Sequence, residues 1–247
     1  MKKIILGTAQ FSGKYGISNK NKNFDVNEIK KIINYSLKNK INNLDTALIY
    51  FSDPKIYEII KKRFNIYTKV PSLSEVKKNQ INLYLEKHII NLKKIYSKRK
   101  IESLIFHDPN DFKNSNKIKI RSAISYLSYL KKNKQIGLIG ASIYTMKDFY
   151  NVLECFRNYK LDLIQIPISI INTEFNNKEF INIINKKNIK VQARSIFLQG
   201  LLLMKKNERP KYFNKWKNKF EQWDNLSKLQ KIKISYNYVN NLKFINS

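Results

Sequence analysis

The sequence predicts an α/β fold, a TIM-type (β/α)8 barrel of which only about seven βα units are present. Three observations carry this reading. Short apolar runs alternate with longer amphipathic stretches along the whole chain, which implies βαβ units and a parallel sheet. No linker rich in Gly, Pro or Ser interrupts them, so residues 1–247 read as one domain. Four polar residues, Asp45, Tyr50, Lys69 and His107, stand at or just past the C-terminal ends of such runs. In a barrel of parallel strands that end converges on one face, and that face carries the chemistry.

The strand candidates, in order, are Lys3–Ala9, Asn42–Thr46, Ile66–Val70, Ser103–His107, Gly137–Ser142, Leu163–Ile168 and Lys190–Ser195. Between them apolar residues recur at helical spacing. Ile29, Ile32, Ile33 and Leu37 form one stripe; Ile81, Leu85, Ile89 and Leu92 form a second; Ile124, Leu127 and Leu130 form a third. Asp25, Ser74 and Asp148 lie near expected helix starts, where an oxygen side chain accepts a free backbone N–H. A last helical stretch runs over roughly 215–245, and there the chain stops one strand and one helix short of a closed barrel. The first and seventh strands are then expected to present unpaired edges, with self-association through them. The chain is either a fragment of a longer protein or a shortened gene product.

Composition excludes several classes. The chain is 43% hydrophobic and 27% charged, which suits a soluble globular protein with a sizeable core. No apolar run approaches the roughly 20 residues of a membrane span. The first residues are too short in their apolar part for a signal peptide. A single cysteine, Cys155, excludes an internal disulfide, and a cytoplasmic location is expected. Cys155 lies on the apolar face of Val152-Leu153-x-x-Phe156 and reads as core filling. Trp216 and Trp223, seven apart, read as packing anchors. His88, beside Lys87, reads as a solvated surface residue. Two distant histidines and one cysteine make no metal site. No Ser-His-Asp or Cys-His arrangement and no phosphate-binding P-loop stands out.

The formal net charge of +30 raises the question of a polyanion partner. Only six of the 48 basic residues are arginine: Arg63, Arg99, Arg121, Arg157, Arg194 and Arg209. The lysines are scattered and accompanied by abundant Asn and Ile, residues that share AT-rich codons. Specific nucleic-acid readers favour the bidentate fork of arginine. The charge therefore reads as a lysine-coated surface with salt-sensitive, nonspecific adhesion and no specific nucleic-acid or membrane partner.

Taken together and in order, the motifs resemble the aldo-keto reductase family, closest to a bacterial branch associated with polysaccharide biosynthesis. Leu6-Gly7-Thr8-Ala9-Gln10-Phe11 with Tyr15-Gly16-Ile17 resembles that branch's opening. Asp45-Thr46-Ala47-x-x-Tyr50 is similar to the family's Asp-Thr-Ala-x-x-Tyr signature. Lys69 ends the third strand and His107-Asp108 the fourth. Gly140-Ala141-Ser142, Gln165-Ile166-Pro167 and Ala193-Arg194-Ser195-Ile196-Phe197-Leu198-Gln199-Gly200-Leu201-Leu202 resemble the family's fifth, sixth and seventh strand ends.

The resemblance implies an NADP- or NAD-dependent oxidoreductase that reduces an aldehyde or ketone, and the branch implies a sugar-derived one. Asp45, Tyr50, Lys69 and His107 would be catalytic. Tyr50 would donate the proton, a role for which its ordinary pKa of about 10 needs tuning. Lys69 would lower that pKa, Asp45 would keep Lys69 charged, and His107 would place the carbonyl oxygen. The cofactor would lie against Gly7, Thr8, Asp45, Ser142, Gln165, Arg194, Ser195, Phe197 and Gly200. Ser142 and Gln165 would face its carboxamide, and Ser195, Phe197 and Gly200 its pyrophosphate. Three features depart from the family pattern. Phe51 replaces the glycine usual after the tyrosine. Arg194 occupies a position often held by an aromatic that stacks on the nicotinamide. The last strand and the adenosine-gripping helix would lie past residue 247. The last point motivates a second reading, a non-catalytic barrel used for binding or assembly.

Overall fold

The computed structural model describes residues 3–12, 15–18, 25–50, 54–61, 63–98 and 100–247. Phe51 lies outside them. Seven strands form one parallel sheet in sequential order: β1 (Leu6–Gly7), β2 (Asn43–Asp45), β3 (Asn65–Val70), β4 (Ile101–Phe106), β5 (Ile136–Ser142), β6 (Leu163–Pro167) and β7 (Lys190–Arg194). This is a (β/α)8-type barrel built from seven units, as the strand–helix alternation predicts. β1 is shorter than expected because β2 spans only three residues, and the pairing is confined to Leu6 with Leu44 and Gly7 with Asp45.

The helices are α1 (Val26–Lys38), α2 (Pro54–Ile60), α3 (Ile81–Tyr96), α4 (Lys117–Lys132), α5 (Met146–Cys155), α6 (Lys178–Lys187), α7 (Lys217–Asp224) and α8 (Lys228–Asn241). Their apolar stripes face the sheet. Ile29 and Ile33 of α1, Ile81, Leu85, Ile89, Leu92 and Tyr96 of α3, and Ile120, Ile124, Leu127 and Leu130 of α4 are all buried. Side chains of the strands' outer faces, such as Leu104, Phe106, Ile139, Ala141, Ile164 and Val191, complete that core. Inward-facing Tyr67, Ile105 and Leu163, with Ile5 packed on them, fill the barrel. Fully burying one such aliphatic side chain contributes about 1.5–3 kcal/mol.

Helix ends follow local chemistry in part. Asp148 is the third residue of α5 and forms a reciprocal capping box with Thr145, where α5 begins. Asp25 precedes α1 without a side-chain cap bond. Ser74 falls in the loop before α3, seven residues ahead of the helix. The single helix expected over 215–245 is two helices. Ser227 starts a new one with its own capping box to Gln230, so the chain turns between Asp224 and Lys228. Cys155 is buried, as expected. Trp216 and Trp223 pack on a satellite cluster of Leu201, Leu202, Met204 and Phe220, and the Trp223 indole donates to the Leu202 carbonyl at 2.8 Å.

The expected pair of bare edges needs correction. Residues 246 and 247 run alongside β7 and reach towards the β1 side. Asn246 N donates to Val191 O (2.8 Å) and Ala193 N donates to Ser247 O (2.7 Å). Val191 N donates to the Asn246 side-chain oxygen (2.6 Å), and Lys3 N approaches Asn246 O at 3.4 Å. Val191 N, Val191 O and Ala193 N, which β7 would leave open, are thus taken up where an eighth strand belongs.

Candidate active site

A cavity of about 490 Å³ opens at the strand C-termini and extends along the gap between β7 and β1 to Lys3, Ile5, Tyr236 and Ser247. Asp45, Tyr50, Lys69 and His107 line it, and so do Gly7, Thr8, Ser142, Gln165, Arg194, Ser195, Phe197 and Gly200. The fold therefore brings every residue singled out in the sequence to one place. Strand periodicity explains how: Asn43 and Asp45, Tyr67 and Lys69, Leu163 and Gln165 alternate inward with outward-facing neighbours.

At the centre lies a charge pair. Lys69, only 4% exposed, makes an ion pair with Asp45 Oδ1. The other carboxylate oxygen, Oδ2, accepts a hydrogen bond from Gln165 Nε2 at 2.9 Å, so β2, β3 and β6 are joined across the barrel. Asp45 is held from behind as well, since its carbonyl accepts from both the Thr8 amide and the Thr8 hydroxyl at 3.0 Å. Tyr50 sits in a short 3-10 turn, Leu48–Tyr50, directly after β2. Its ring meets that of His107 edge-on, with centroids 6.5 Å apart.

The electrostatics differ from expectation for Tyr50. Burial, and next the Asp45 carboxylate, raise its pKa well above the ordinary value; Arg194 opposes this, and no lowering by Lys69 is seen. The largest cause is burial of the phenol, which penalises the phenolate whatever the neighbouring charges. The phenol is thus held in its protonated form. His107 moves the other way: burial first, then Lys69 and Arg194, lower its pKa and keep the imidazole neutral near pH 7.

One further correction concerns a side chain. His88 is largely buried, not solvated, and its Nε2 lies 3.0 Å from the Lys69 carbonyl oxygen. Arg194 crosses the cavity wall to the end of β5. Its Nη2 donates to Ile143 O at 3.1 Å, and its guanidinium carbon stands 4.2 Å above the centre of the Tyr144 ring.

The sequence reading missed Gln192, Tyr144, Tyr15 and Gln199, which also line the cavity. Gln192 was accessible to strand alternation, being two residues before Arg194 on the same face of β7. Its buried Oε1 has no hydrogen-bond partner among the described residues. The segments that carry Tyr15 and Gln199 dock in a way that no local pattern encodes: Ile17 N donates to Gln199 O at 2.9 Å.

The model of the aldo/keto reductase family matches residues 3–245. The chain belongs to the aldo/keto reductase family. It is accordingly an NAD(P)-dependent oxidoreductase of aldo-keto reductase type. Among solved structures it resembles a glycerol dehydrogenase from Gluconobacter oxydans, with 17% identity and a TM-score of 0.67 over 99% of this chain and 80% of that one. It also resembles the holo form of an aldo-keto reductase from Bacillus halodurans, with 16% identity and a TM-score of 0.65 over 91% and 76%. At these identities the likeness speaks for the fold. A search of curated proteins gave no match.

The residues present fit the nicotinamide cofactor that the aldo/keto reductase family uses. A Cβ at Gly7 would meet no atom within 4 Å, so the backbone there forms an open floor to the cavity. The loop after β7 holds Ser195, Leu198, Gln199 and Gly200 at positive φ, a turn geometry of the sort that points backbone amides at anions. The orphaned Gln192 oxygen offers an acceptor in the same cavity. Among the described residues no group of three metal-ligating side chains occurs, and no helix is long and apolar enough to cross a membrane.

Proposed function

We propose that this aldo/keto reductase reduces a small aldehyde or ketone to the alcohol, with Tyr50 as the proton donor. The observation that supports this best is the gathering of Tyr50 and His107 around the Lys69–Asp45 pair in one cavity. NADPH or NADH, when bound, supplies the hydride to the carbonyl carbon.

The chain's own residues do the rest. His107, held neutral, donates a hydrogen bond to the carbonyl oxygen and fixes its position. Tyr50, held protonated, gives its proton to that oxygen as negative charge gathers on it. The phenolate left behind is favoured by the Arg194 charge. The Lys69–Asp45–Gln165 chain keeps the strand ends in register beneath the reacting carbon. Gly7, Thr8, Ser142, Gln165 and the loop Ser195–Gly200 hold the cofactor. Branch resemblance supports a sugar-derived carbonyl.

Fluorescence titration with NADPH and NADH is the test, followed by a carbonyl panel with cofactor oxidation read by absorbance. Saturable micromolar binding with turnover of at least one carbonyl is the expected result. Absence of binding up to millimolar cofactor leaves a non-catalytic barrel for binding or assembly.

A further inference from the structure

Arg194 has no task in the reduction scheme beyond its charge, yet its setting is built. Seven in eight of this chain's basic residues are lysine, so an arginine marks a place where the planar fork matters. Arg209 shows the same usage elsewhere, gripping both carboxylate oxygens of Asp224. Among the described residues Arg194 has no such partner. Its contacts are neutral: the Ile143 carbonyl, the Ser195 hydroxyl at 3.4 Å and the face of Tyr144. Its Nε is buried and has no hydrogen-bond partner among the described residues.

Among the described residues the charged side chains lining the cavity are Lys3, Asp45, Lys69 and Arg194. Asp45 is taken by Lys69, so the half-buried Arg194 cation meets no carboxylate side chain among the described residues. A cation withdrawn from water in this way is costly unless an anion meets it. The Tyr144 ring and the Ile143 carbonyl fix the plane of the fork, which leaves less freedom to lose on binding.

We propose that Arg194 binds the substrate, pairing with an anionic group, a carboxylate or a phosphate, carried by the carbonyl compound. The inference rests on the carbonyl-reductase reading. It sets the substrate's orientation: the anion lies on the β5–β7 side of the cavity and the carbonyl on the β2–β4 side, beside Tyr50 and His107. Arg194, Tyr50 and His107 line the same cavity of about 490 Å³, room for one small molecule to reach from fork to donor. A guanidinium meets either anion bidentately.

Calorimetric titration of the full chain in the presence of NADP+ tests this with two matched pairs. These are 4-carboxybenzaldehyde against benzaldehyde, and glyceraldehyde 3-phosphate against glyceraldehyde. The expected result is a preference for the charged member of one pair, which identifies the anion, and a fall in that affinity ratio on the order of 10- to 100-fold in Arg194→Gln. Equal affinities within both pairs, or a ratio unchanged in the variant, overturn the proposal. Should Arg194→Gln fail to fold, Arg194→Lys keeps the charge and loses the fork; its ratio should drop several-fold, and an unchanged ratio again overturns the proposal. Turnover is scored separately. Charged aldehydes that bind through Arg194 and are never reduced would defeat the reductase reading and leave this assignment standing.

Discussion

The Nε2 atom of His88 lies 3.0 Å from the main-chain oxygen of Lys69. Because a carbonyl only accepts, this nitrogen carries the proton, and burial favours that neutral ring. The bond has a topological cause. On the β2 side of β3, the Tyr67 carbonyl accepts from Thr46 N at 2.9 Å. The next carbonyl on that side belongs to Lys69, and β2 has already ended at Asp45. His88, reaching from α3, stands in for the missing strand and steadies the backbone that carries the lysine.

Removing that donor should therefore cost stability and loosen Lys69. His88→Leu leaves a buried carbonyl unpaired, at about 1–3 kcal/mol. His88→Gln, which keeps an N–H, should recover part of the loss. Thermal melts of the two variants check this; equal melting points would remove the bond from the account.

Acid should weaken the fold through its histidines. Burial lowers the pKa of both His88 and His107 in the folded chain. Their neutral forms contribute stability that is full above the ordinary value near 6.5 and is lost as pH falls through the lowered values. Asp111 acts in the opposite sense: burial pushes its carboxyl up to about 6, so its share is full below 3.8 and lost as pH rises through about 6. Melting temperature against pH should flatten on the acid side of 6.5 in His88→Gln, and Asp111→Asn should remove the opposing slope between about 4 and 6.

Breaking the buried ion pair should hurt more than deleting it. Lys69→Met strands Asp45 and Asp45→Asn strands Lys69, each at about 3–5 kcal/mol. The double variant should lose less than the sum of the two. Denaturant titrations of the four proteins give the coupling directly.

Tyr50→Phe separates binding from proton transfer. Cofactor affinity should stay within a few-fold, since the ring remains, while turnover falls by about 10²–10⁴. Stopped-flow single turnovers and cofactor titration report the two quantities; undiminished turnover would move the proton donor elsewhere.

Gly200→Ala probes the loop that follows β7. Gly200 sits at φ +90°, and a Cβ there would overlap the side chain of Ser18. The variant must push the 15–18 segment off the loop, on top of the backbone strain that a side chain suffers at positive φ. Weaker cofactor binding is expected, with a smaller effect on the melting point, because the loop lies outside the main core.

Much of the molecule was legible one residue at a time. Strand order, the helix stripes and the four polar strand ends follow from periodicities of two and 3.6, which are local properties of a chain. Asp45, Tyr50, Lys69 and His107 were readable because each follows its own apolar run. What the sequence could not settle depends on residues far apart meeting in space. His88 looked like a surface residue among lysines, and only the early end of β2 against the longer β3 gives it a carbonyl to bind. The direction of the Tyr50 shift depends on burial of the ring and on the Asp45 carboxylate beside it, and burial is decided by packing. The β7 edge is covered by residues 246–247, more than fifty positions away. Local pattern determined the elements and the chemical cast; the curling of the sheet decided which charges are paired, which are dry and which, like Arg194, still face the cavity.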